Sequence, residues 1–233
     1  MFVDWLYQID SKLNLRKVLQ MKITVFGARG NVGSRVITEA LSRGHEITAV
    51  LRNNARTNKI DPSVKVVIGH ADNVDDVVKW SDGQDLVISA TRPPQGVESQ
   101  LVDTAKALLS GLAQTKVRLL LVGGAASLTV PNSNGKLVVD DSDLVPIAWR
   151  DIALACFEQH KLCQANETVD WSYLSPPAVI APGERTGIFR TGSDELLVDE
   201  QGQSTISLED FAIALVDEAE AVKHNRMRFT VAY

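Results

Sequence analysis

The sequence predicts an α/β protein with a Rossmann-type, doubly wound parallel sheet and a small C-terminal lid-like lobe. Apolar strands alternate with helices from residue 22 to residue 174, which is typical of a parallel sheet covered by helices on both faces. Strands 64–69 and 116–122 contain continuous apolar runs, as expected for strands that are buried on both sides. A length of 233 residues suits one domain of this class.

The elements follow one another in a regular order. The expected elements are strand 22–26, helix 31–43, strand 45–51, strand 64–69, helix 73–80, strand 85–89, helix 97–110, strand 116–122, helix 148–165 and strand 169–174. After residue 175 the chain changes to proline, glycine and short segments of alternating apolar and polar residues. We expect this region to form the lid-like lobe over the ligand crevice at the carboxyl ends of the strands. Ser207 and Asp210 then form a capping-box start for helix 208–220. Loop 131–143 is expected to be a flexible flap.

The first strand runs into a glycine-rich turn and then into a helix. In such a turn the first glycine permits the tight bend, the second lets backbone amides approach a pyrophosphate, and the third lets the helix pack on the strand. The helix N-terminus favours the phosphate charge. A glycine-rich turn can also be purely structural, but its position between strand and helix predicts a dinucleotide site. Its residues are Gly27, Arg29, Gly30, Asn31, Val32 and Gly33.

Composition excludes several other classes of protein. The net charge of −5 argues against nucleic acid as a partner, because duplex binding needs a basic face. No apolar run reaches the ~18 residues of a membrane span. Cys156 and Cys163 lie seven positions apart in one predicted helix, about 10 Å, which is too far for a disulfide. Unpaired thiols predict a cytoplasmic protein. The four histidines have no ligand spacing, so no metal site is expected.

Residues 1–20 are expected to be an amphipathic N-terminal extension, followed by a single NAD(P)-binding Rossmann domain over residues 21–233. Asp4 and Asp10 interrupt the apolar residues and exclude a secretory signal. Met21, where a chain of this kind would naturally start, stands immediately before the first strand. The apolar face of the extension consists of Phe2, Trp5, Leu6, Ile9 and Leu13.

Four segments together resemble the NmrA-like, NAD(P)H-binding branch of the atypical short-chain dehydrogenases. Within that branch they are similar to bacterial NADH-flavin reductases and to biliverdin-IX-beta/flavin reductase. The resemblance covers residues 21–233 in order. The segments are the glycine turn, Leu121-Val122-Gly123-Gly124-Ala125-Ala126-Ser127-Leu128, Asp170-Trp171-Ser172-Tyr173-Leu174-Ser175-Pro176-Pro177 and Pro182-Gly183-Glu184-Arg185-Thr186-Gly187.

One departure from the wider family bears on mechanism. Tyrosine-dependent short-chain dehydrogenases carry a Tyr-x-x-x-Lys pair on the helix after the fifth strand, but the only tyrosines here are Tyr7, Tyr173 and Tyr233. Reduction of a conjugated ring needs no such acid, because the cofactor supplies hydride and solvent can supply the proton. The sequence therefore predicts an NAD(P)H-dependent reductase of a flavin, quinone or similar small-molecule acceptor. The alternative is an NADP(H)-binding redox sensor without catalysis, which signals to a protein partner. An isomerase or dehydratase is disfavoured by the missing pair.

Arg52 follows the second strand, where NAD-preferring proteins place an acidic residue on the ribose 2′-hydroxyl. The segment contains no acid and two guanidiniums, Arg52 and Arg56, which can pair with a 2′-phosphate. We therefore expect NADP(H) to be preferred over NAD(H). The alternative is that Arg52 is a solvated loop charge. Arg29 could share the same phosphate or face water.

The remaining candidates follow the later strands. The resemblance places Asp72 on the adenine side, although a cap on helix 73–80 explains it equally well. Ser127 is expected to orient the acceptor, as a catalytic residue, or only to tie its own loop. His160 is a weaker proton-donor candidate. No feature chooses between a monomer and a homodimer. The cofactor is also expected to contact Ala90, Thr91, Arg92, Gly123, Gly124 and Pro176.

Overall fold

A computed structural model describes residues 20–53 and 60–233 of the chain. Residues 1–19 of the expected extension, and Arg56, lie outside the described residues. The helices and strands, in chain order, are β1 (Lys22–Phe26), α1 (Asn31–Ser42), β2 (Glu46–Leu51), β3 (Lys65–Ile68), α2 (Val74–Ser81), β4 (Leu86–Ser89), α3 (Gln100–Thr115), β5 (Arg118–Val122), α4 (Arg150–Gln164), β6 (Trp171–Ser175), β7 (Val179–Ala181), β8 (Arg190–Gly192), β9 (Thr205–Ser207), α5 (Leu208–Ala221) and β10 (Met227–Ala232). Short 3-10 helices cover Val138–Asp140 and Ile147–Trp149.

The central sheet has eight strands in the order β3-β2-β1-β4-β5-β6-β10-β8. All neighbours pair in parallel except β8, which runs antiparallel to β10 at the edge. Strand β1 lies between β2 and β4, so the strand order reverses there. Ligands of open α/β sheets bind beside such a reversal, at the carboxyl ends of the strands. The predicted Rossmann-type fold is confirmed.

Helices cover both faces of the sheet, and alternate residues of each strand point to opposite faces. Helices α1 and α5 pack on one face, where Val36 and Leu215 lie in the same apolar cluster as Leu120. Helices α2, α3 and α4 cover the other face, where Leu108 and Tyr173 belong to a second cluster. The continuous apolar runs seen in the sequence are explained by this burial on two sides.

The C-terminal region contributes to the main sheet as well as to the expected small lobe. Strand β10 pairs with β6, with Phe229 opposite Leu174, and α5 packs against α1. Only β7 and β9 form a separate two-stranded sheet. The four strands after residue 175 were not predicted, because three of them have only three residues and β10 mixes charged with apolar residues.

Loop 131–143 is anchored by backbone hydrogen bonds and buried valines, and residues 134–136 are exposed; that it is a flexible flap stays a prediction. The Val130 N–H donates to the Lys136 carbonyl, and the Val138 N–H donates to the Leu128 carbonyl. The side chains of Val138 and Val139 are buried. Two valines next to the polar turn provide the apolar anchor. A third apolar cluster forms there from Leu128, Val138, Val145 and Leu196.

Candidate active site

The glycine turn brings β1, α1 and β4 so close together that two of its positions exclude a side chain. Gly27 has a φ of +79°, and a Cβ built on it would lie 2.3 Å from the carbonyl oxygen of Ala90. A Cβ on Gly33 would lie 2.2 Å from the carbonyl oxygen of Gly27. Any other residue at position 27 would push away the segment that follows β4, and any other residue at position 33 would push α1 away from the turn.

The surroundings of Gly30 are more open than those of Gly27 and Gly33. A Cβ there would meet the Gly27 carbonyl oxygen at 3.2 Å and the Ala90 oxygen at 3.8 Å. Gly30 is the N-cap of α1, and no side chain caps that helix end. The first amides of an α-helix lack intrahelical partners and favour an anion. The turn therefore fits a pyrophosphate, with Arg29 and Asn31 exposed beside it.

Arg52 and Asp72 lie at the same edge of the sheet, where β2 and β3 end. The two strands pair in parallel, with Leu51 opposite Ile68, and both charged residues are exposed. The alternative role of Asp72 as a helix cap is wrong. The cap of α2 is Asn73, whose side chain accepts a hydrogen bond from the backbone N–H of Asp76 at 3.0 Å.

Ala90 and Thr91 lie directly against the glycine turn. The Ala90 N–H donates to the Phe26 carbonyl at 2.9 Å, and the Thr91 hydroxyl lies 3.2 Å from that of Ser89. Arg92 is oriented differently, because its guanidinium carbon lies 5.2 Å from the ring centroid of Trp149, just before α4. Val32 and Pro176 are half-buried at the ends of the glycine turn and of β6.

Gly123 and Gly124 make room for a buried tyrosine and for α4. A Cβ on Gly123 would lie 1.9 Å from the ring of Tyr173, and one on Gly124 would lie 2.7 Å from the Cβ of Cys156. The Gly124 N–H donates to the Tyr173 hydroxyl at 3.2 Å, and that hydroxyl donates to the Cys156 carbonyl at 3.0 Å. Close packing alone thus accounts for both glycines.

The groups near these glycines are poor acids at neutral pH. Tyr173 is fully buried, and burial raises its pKa well above the usual value. Burial also raises the pKa of the Cys156 thiol to about 11, although the nearby charge of Arg92 acts in the opposite direction. Helix α4, which lies wholly within the described residues, contains no tyrosine.

Ser127 is held in a polar cluster on the α4 side of the sheet. Arg228 on β10 donates to the Ser127 hydroxyl at 2.7 Å and also pairs with Asp194. The Ser127 oxygen lies 3.3 Å from Nδ1 of His160. Because the guanidinium can only donate, the serine oxygen accepts from it and its O–H can donate to a neutral His160. These contacts support the alternative in which Ser127 ties its own loop.

The sequence did not identify Arg228 or Asp194, because both lie far from Ser127 along the chain. His160 is buried, at 4% exposure, rather than a solvent-facing proton donor. Burial, reinforced by the charge of Arg228, lowers its pKa from 6.5 to about 4. The ring is therefore neutral at physiological pH, and it packs at 4.7 Å from the Tyr173 ring.

The depressed pKa of His160 makes folding stability depend on pH. Above pH 6.5 the ring is neutral in both states. As the pH falls through 6.5 towards 4, the unfolded chain takes up a proton that the folded chain does not, so stability is lost. The full shift corresponds to on the order of 3 kcal/mol. Between pH 7.5 and pH 4.5, we expect the free energy of unfolding of His160→Gln to fall by about 2 kcal/mol less than that of the wild type. Urea unfolding at the two pH values measures the difference. Equal losses in both proteins would contradict this assignment.

The Pro-Gly-Glu-Arg-Thr-Gly segment clamps α1 to α5. Arg185 donates to the buried Glu39 of α1 at 2.8 and 2.9 Å. The backbone N–H groups of Thr186 and Gly187 both donate to the Asp210 carboxylate of α5 at 2.8 Å. These contacts give Arg185, Thr186 and Gly187 a structural role in joining α1 to α5.

Comparison with known proteins decides the class of this site. Residues 27–221 match the family described as NAD(P)H-binding. The chain belongs to this family. Its glycine turn lies at the start of the matched range, and membership confirms the resemblance to NAD(P)H-binding atypical short-chain dehydrogenases drawn from the sequence.

Three solved structures are similar to this NAD(P)H-binding chain over nearly its whole length. A Burkholderia pseudomallei protein, provisionally named an exported protein, is 41% identical, covers 92% of this chain and 100% of its own, and has a TM-score of 0.83. A Bacteroides thetaiotaomicron protein, provisionally named an epimerase, is 36% identical, with 92% and 97% covered and a TM-score of 0.85. The Streptococcus pneumoniae TIGR4 protein SP1627, provisionally named an NADH-flavin reductase, is 29% identical, with 91% and 99% covered and a TM-score of 0.80. Their names differ in activity, so the family fixes the cofactor class and leaves the reaction open.

Within residues 20–53 and 60–233, no helix is long and apolar enough to cross a membrane. The same part of the chain contains no group of three or more His, Cys, Asp or Glu side chains placed to hold a metal ion.

Proposed function

We propose that this protein is an NADPH-dependent reductase that passes hydride to a flavin, a quinone or a similar conjugated acceptor. The observation that carries the proposal is a glycine turn that fits a pyrophosphate, in a protein whose helix α4 contains no tyrosine. Behind Gly123 and Gly124, the Tyr173 hydroxyl is fully buried and the Cys156 thiol is partly buried, and burial raises the pKa of both. Acceptors that need no protein acid suit this arrangement.

Each part of the candidate site has an assigned role toward the cofactor. The amides at Gly30 and the start of α1 would hold the pyrophosphate, and Arg52 the 2′-phosphate. Asp72 would contact the adenine side, and Ala90 and Thr91 the ribose. Pro176, with Gly123 and Gly124, would border the nicotinamide. When bound, the reduced nicotinamide supplies a hydride.

A conjugated acceptor fits the site because its ring delocalises the charge that arrives with the hydride. Water can then supply the proton, and no side chain needs to titrate near neutral pH. The relative SP1627, whose name is that of a flavin reductase, supports this class. The epimerase name of another relative fits less well, because the Tyr-x-x-x-Lys pair of short-chain epimerases is missing from α4. The two free thiols agree with a cytoplasmic location, which is part of the proposal.

The proposal is tested by NADPH oxidation with FMN, riboflavin and a naphthoquinone, using wild type and Ser127→Ala. We expect the wild type to turn over at least one acceptor. Ser127→Ala should reduce kcat by less than about tenfold, because the hydroxyl orients a loop and is held by Arg228 and His160. A fall of about 100-fold or more is the size of general-acid catalysis and would contradict protonation by solvent. Tight NADPH binding without turnover would favour the sensor alternative.

A further inference from the structure

A small groove opens at the start of α4, outside the residues assigned to the cofactor apart from Arg92. Its volume is about 250 Å³. That is slightly below the range of about 300–1,000 Å³ typical of pockets for drug-sized ligands, so it suits one ring system and not a whole dinucleotide. Its walls combine apolar surfaces with a few polar groups. The lining residues are Arg92, Pro93, Gln95, Glu98, Ala148, Trp149 and Ile152.

Trp149 gives this groove its recognition surface. Its side chain is 56% exposed, which is unusual for the largest apolar side chain, and the Arg92 guanidinium lies over its ring. An exposed indole with a planar cation beside it offers stacking and hydrogen-bond donation to a flat ligand. Glu98 offsets the charge of Arg92, so the groove favours a neutral ring over a strongly anionic one. The Glu98 carboxylate accepts from the Gly96 N–H at 2.9 Å.

The groove opens between the loop that follows β4 and the start of α4. Arg92 stands two residues after Ala90, whose carbonyl oxygen lies against Gly27 of the glycine turn. On the other wall, α4 begins directly after Trp149 and carries Cys156, whose sulfur lies 2.8 Å from where a Cβ of Gly124 would be. A ring bound in the groove would therefore lie at the carboxyl edge of the sheet, where the cofactor is proposed to bind.

We propose that this groove is the acceptor site, where a flat conjugated ring with a carbonyl oxygen stacks on Trp149 and accepts a hydrogen bond from Arg92. The inference rests on the proposed reductase function and assigns Arg92 to the acceptor instead of the cofactor phosphates. Flavins and quinones share this chemistry.

Arg92 would stabilise the negative charge that hydride transfer places on the acceptor. A C–H bond of the dihydronicotinamide breaks, and its hydrogen and two electrons form a new bond on the acceptor ring. The nicotinamide is oxidised and the acceptor reduced. The resulting negative charge reaches the carbonyl oxygen beside the guanidinium, and water then protonates that oxygen and leaves hydroxide. Arg92 stabilises the charge without giving up a proton, because a guanidinium stays protonated in proteins.

The test measures binding and turnover separately in four proteins: wild type, Trp149→Ala, Trp149→Phe and Ile147→Ala. Ile147 is a matched control, since it is 85% exposed in the same 3-10 helix and does not line the groove. Calorimetry would follow riboflavin, and separately 2-methyl-1,4-naphthoquinone, binding to protein saturated with NADP⁺. Steady-state kinetics would give KM for each acceptor and for NADPH.

Loss of aromatic stacking should weaken acceptor binding by about 10- to 100-fold in Trp149→Ala and raise its KM to match. Trp149→Phe should stay within about threefold of the wild type, Ile147→Ala should be unchanged, and KM for NADPH should be the same in all four. The acceptor with the larger loss in Trp149→Ala identifies the natural class.

The outcomes separate this inference from the proposed function. If turnover is normal and Trp149→Ala binds the acceptor as tightly as the wild type, the groove is not the acceptor site. The proposed reductase function is then unaffected. Binding that depends on Trp149, without NADPH oxidation, supports the groove and overturns the reductase. Absence of both binding and turnover in the wild type overturns both.

Discussion

Gly30→Val is expected to raise the Kd for NADPH by about 100-fold or more, which abolishes binding at ordinary concentrations. The protein should still fold. The branched side chain would stand at the uncapped N-terminus of α1, where the proposal places the pyrophosphate. Folding should survive because the backbone at Gly30 is extended, with φ −71° and ψ 168°, and any residue adopts it. The closest atom to a Cβ is the Gly27 carbonyl oxygen at 3.2 Å, which needs only a small adjustment.

Fluorescence titration with NADPH measures the effect, and thermal unfolding checks the fold. Thr38→Val is the matched control, because it places the same side chain at an exposed position two turns along α1. Gly33→Val supplies the contrast, since its Cβ would lie 2.2 Å from a backbone oxygen and should disrupt folding itself. Unchanged NADPH affinity in folded Gly30→Val would mean that the cofactor does not use this turn.

Arg52→Ala is expected to weaken NADPH binding by about 10- to 100-fold and to leave NADH binding nearly unchanged. A charge-assisted hydrogen bond to the 2′-phosphate contributes roughly 1.5–3 kcal/mol, and NADH has no such phosphate. Arg52 is exposed at the end of β2, where this contact is possible without rearrangement of the core.

Titration of both dinucleotides separates a phosphate contact from a general effect on the loop. Arg52→Lys keeps the charge but loses the bidentate geometry, so we expect an intermediate loss for NADPH. Equal weakening of NADPH and NADH by Arg52→Ala would show that Arg52 supports the loop and does not contact the phosphate.

Much of the fold could be predicted from the sequence because the signals are local. The strand–turn–helix unit at Gly27–Gly33 and the apolar runs of buried parallel strands depend on neighbouring residues alone. Helix α3 runs five residues beyond the predicted end and begins three residues late, since few local signals mark its boundaries.

The polar cluster around Ser127 could not be predicted, for a physical reason. Arg228 lies 101 positions from Ser127 in the chain. The two meet because the chain returns to the sheet after α5, where β10 pairs with β6. Similarly, Arg185 pairs with Glu39 across 146 positions. Such contacts depend on sheet order, which no single segment encodes. Trp149 is a comparable case, because its exposure beside Arg92 depends on how the loops after β4 and β5 end.

We propose that hydride passes directly to a conjugated acceptor from a cofactor held on the glycine turn. The most direct measurement is an anaerobic single turnover with NADPH deuterated at the transferring C4 position, followed by absorbance at 340 nm with riboflavin or 2-methyl-1,4-naphthoquinone. We predict one NADPH oxidised for each acceptor reduced, a slower rate with the deuterated cofactor, and no oxidation in Gly30→Val. NADPH bound tightly by the wild type, yet left fully reduced in the presence of every acceptor, would contradict the account.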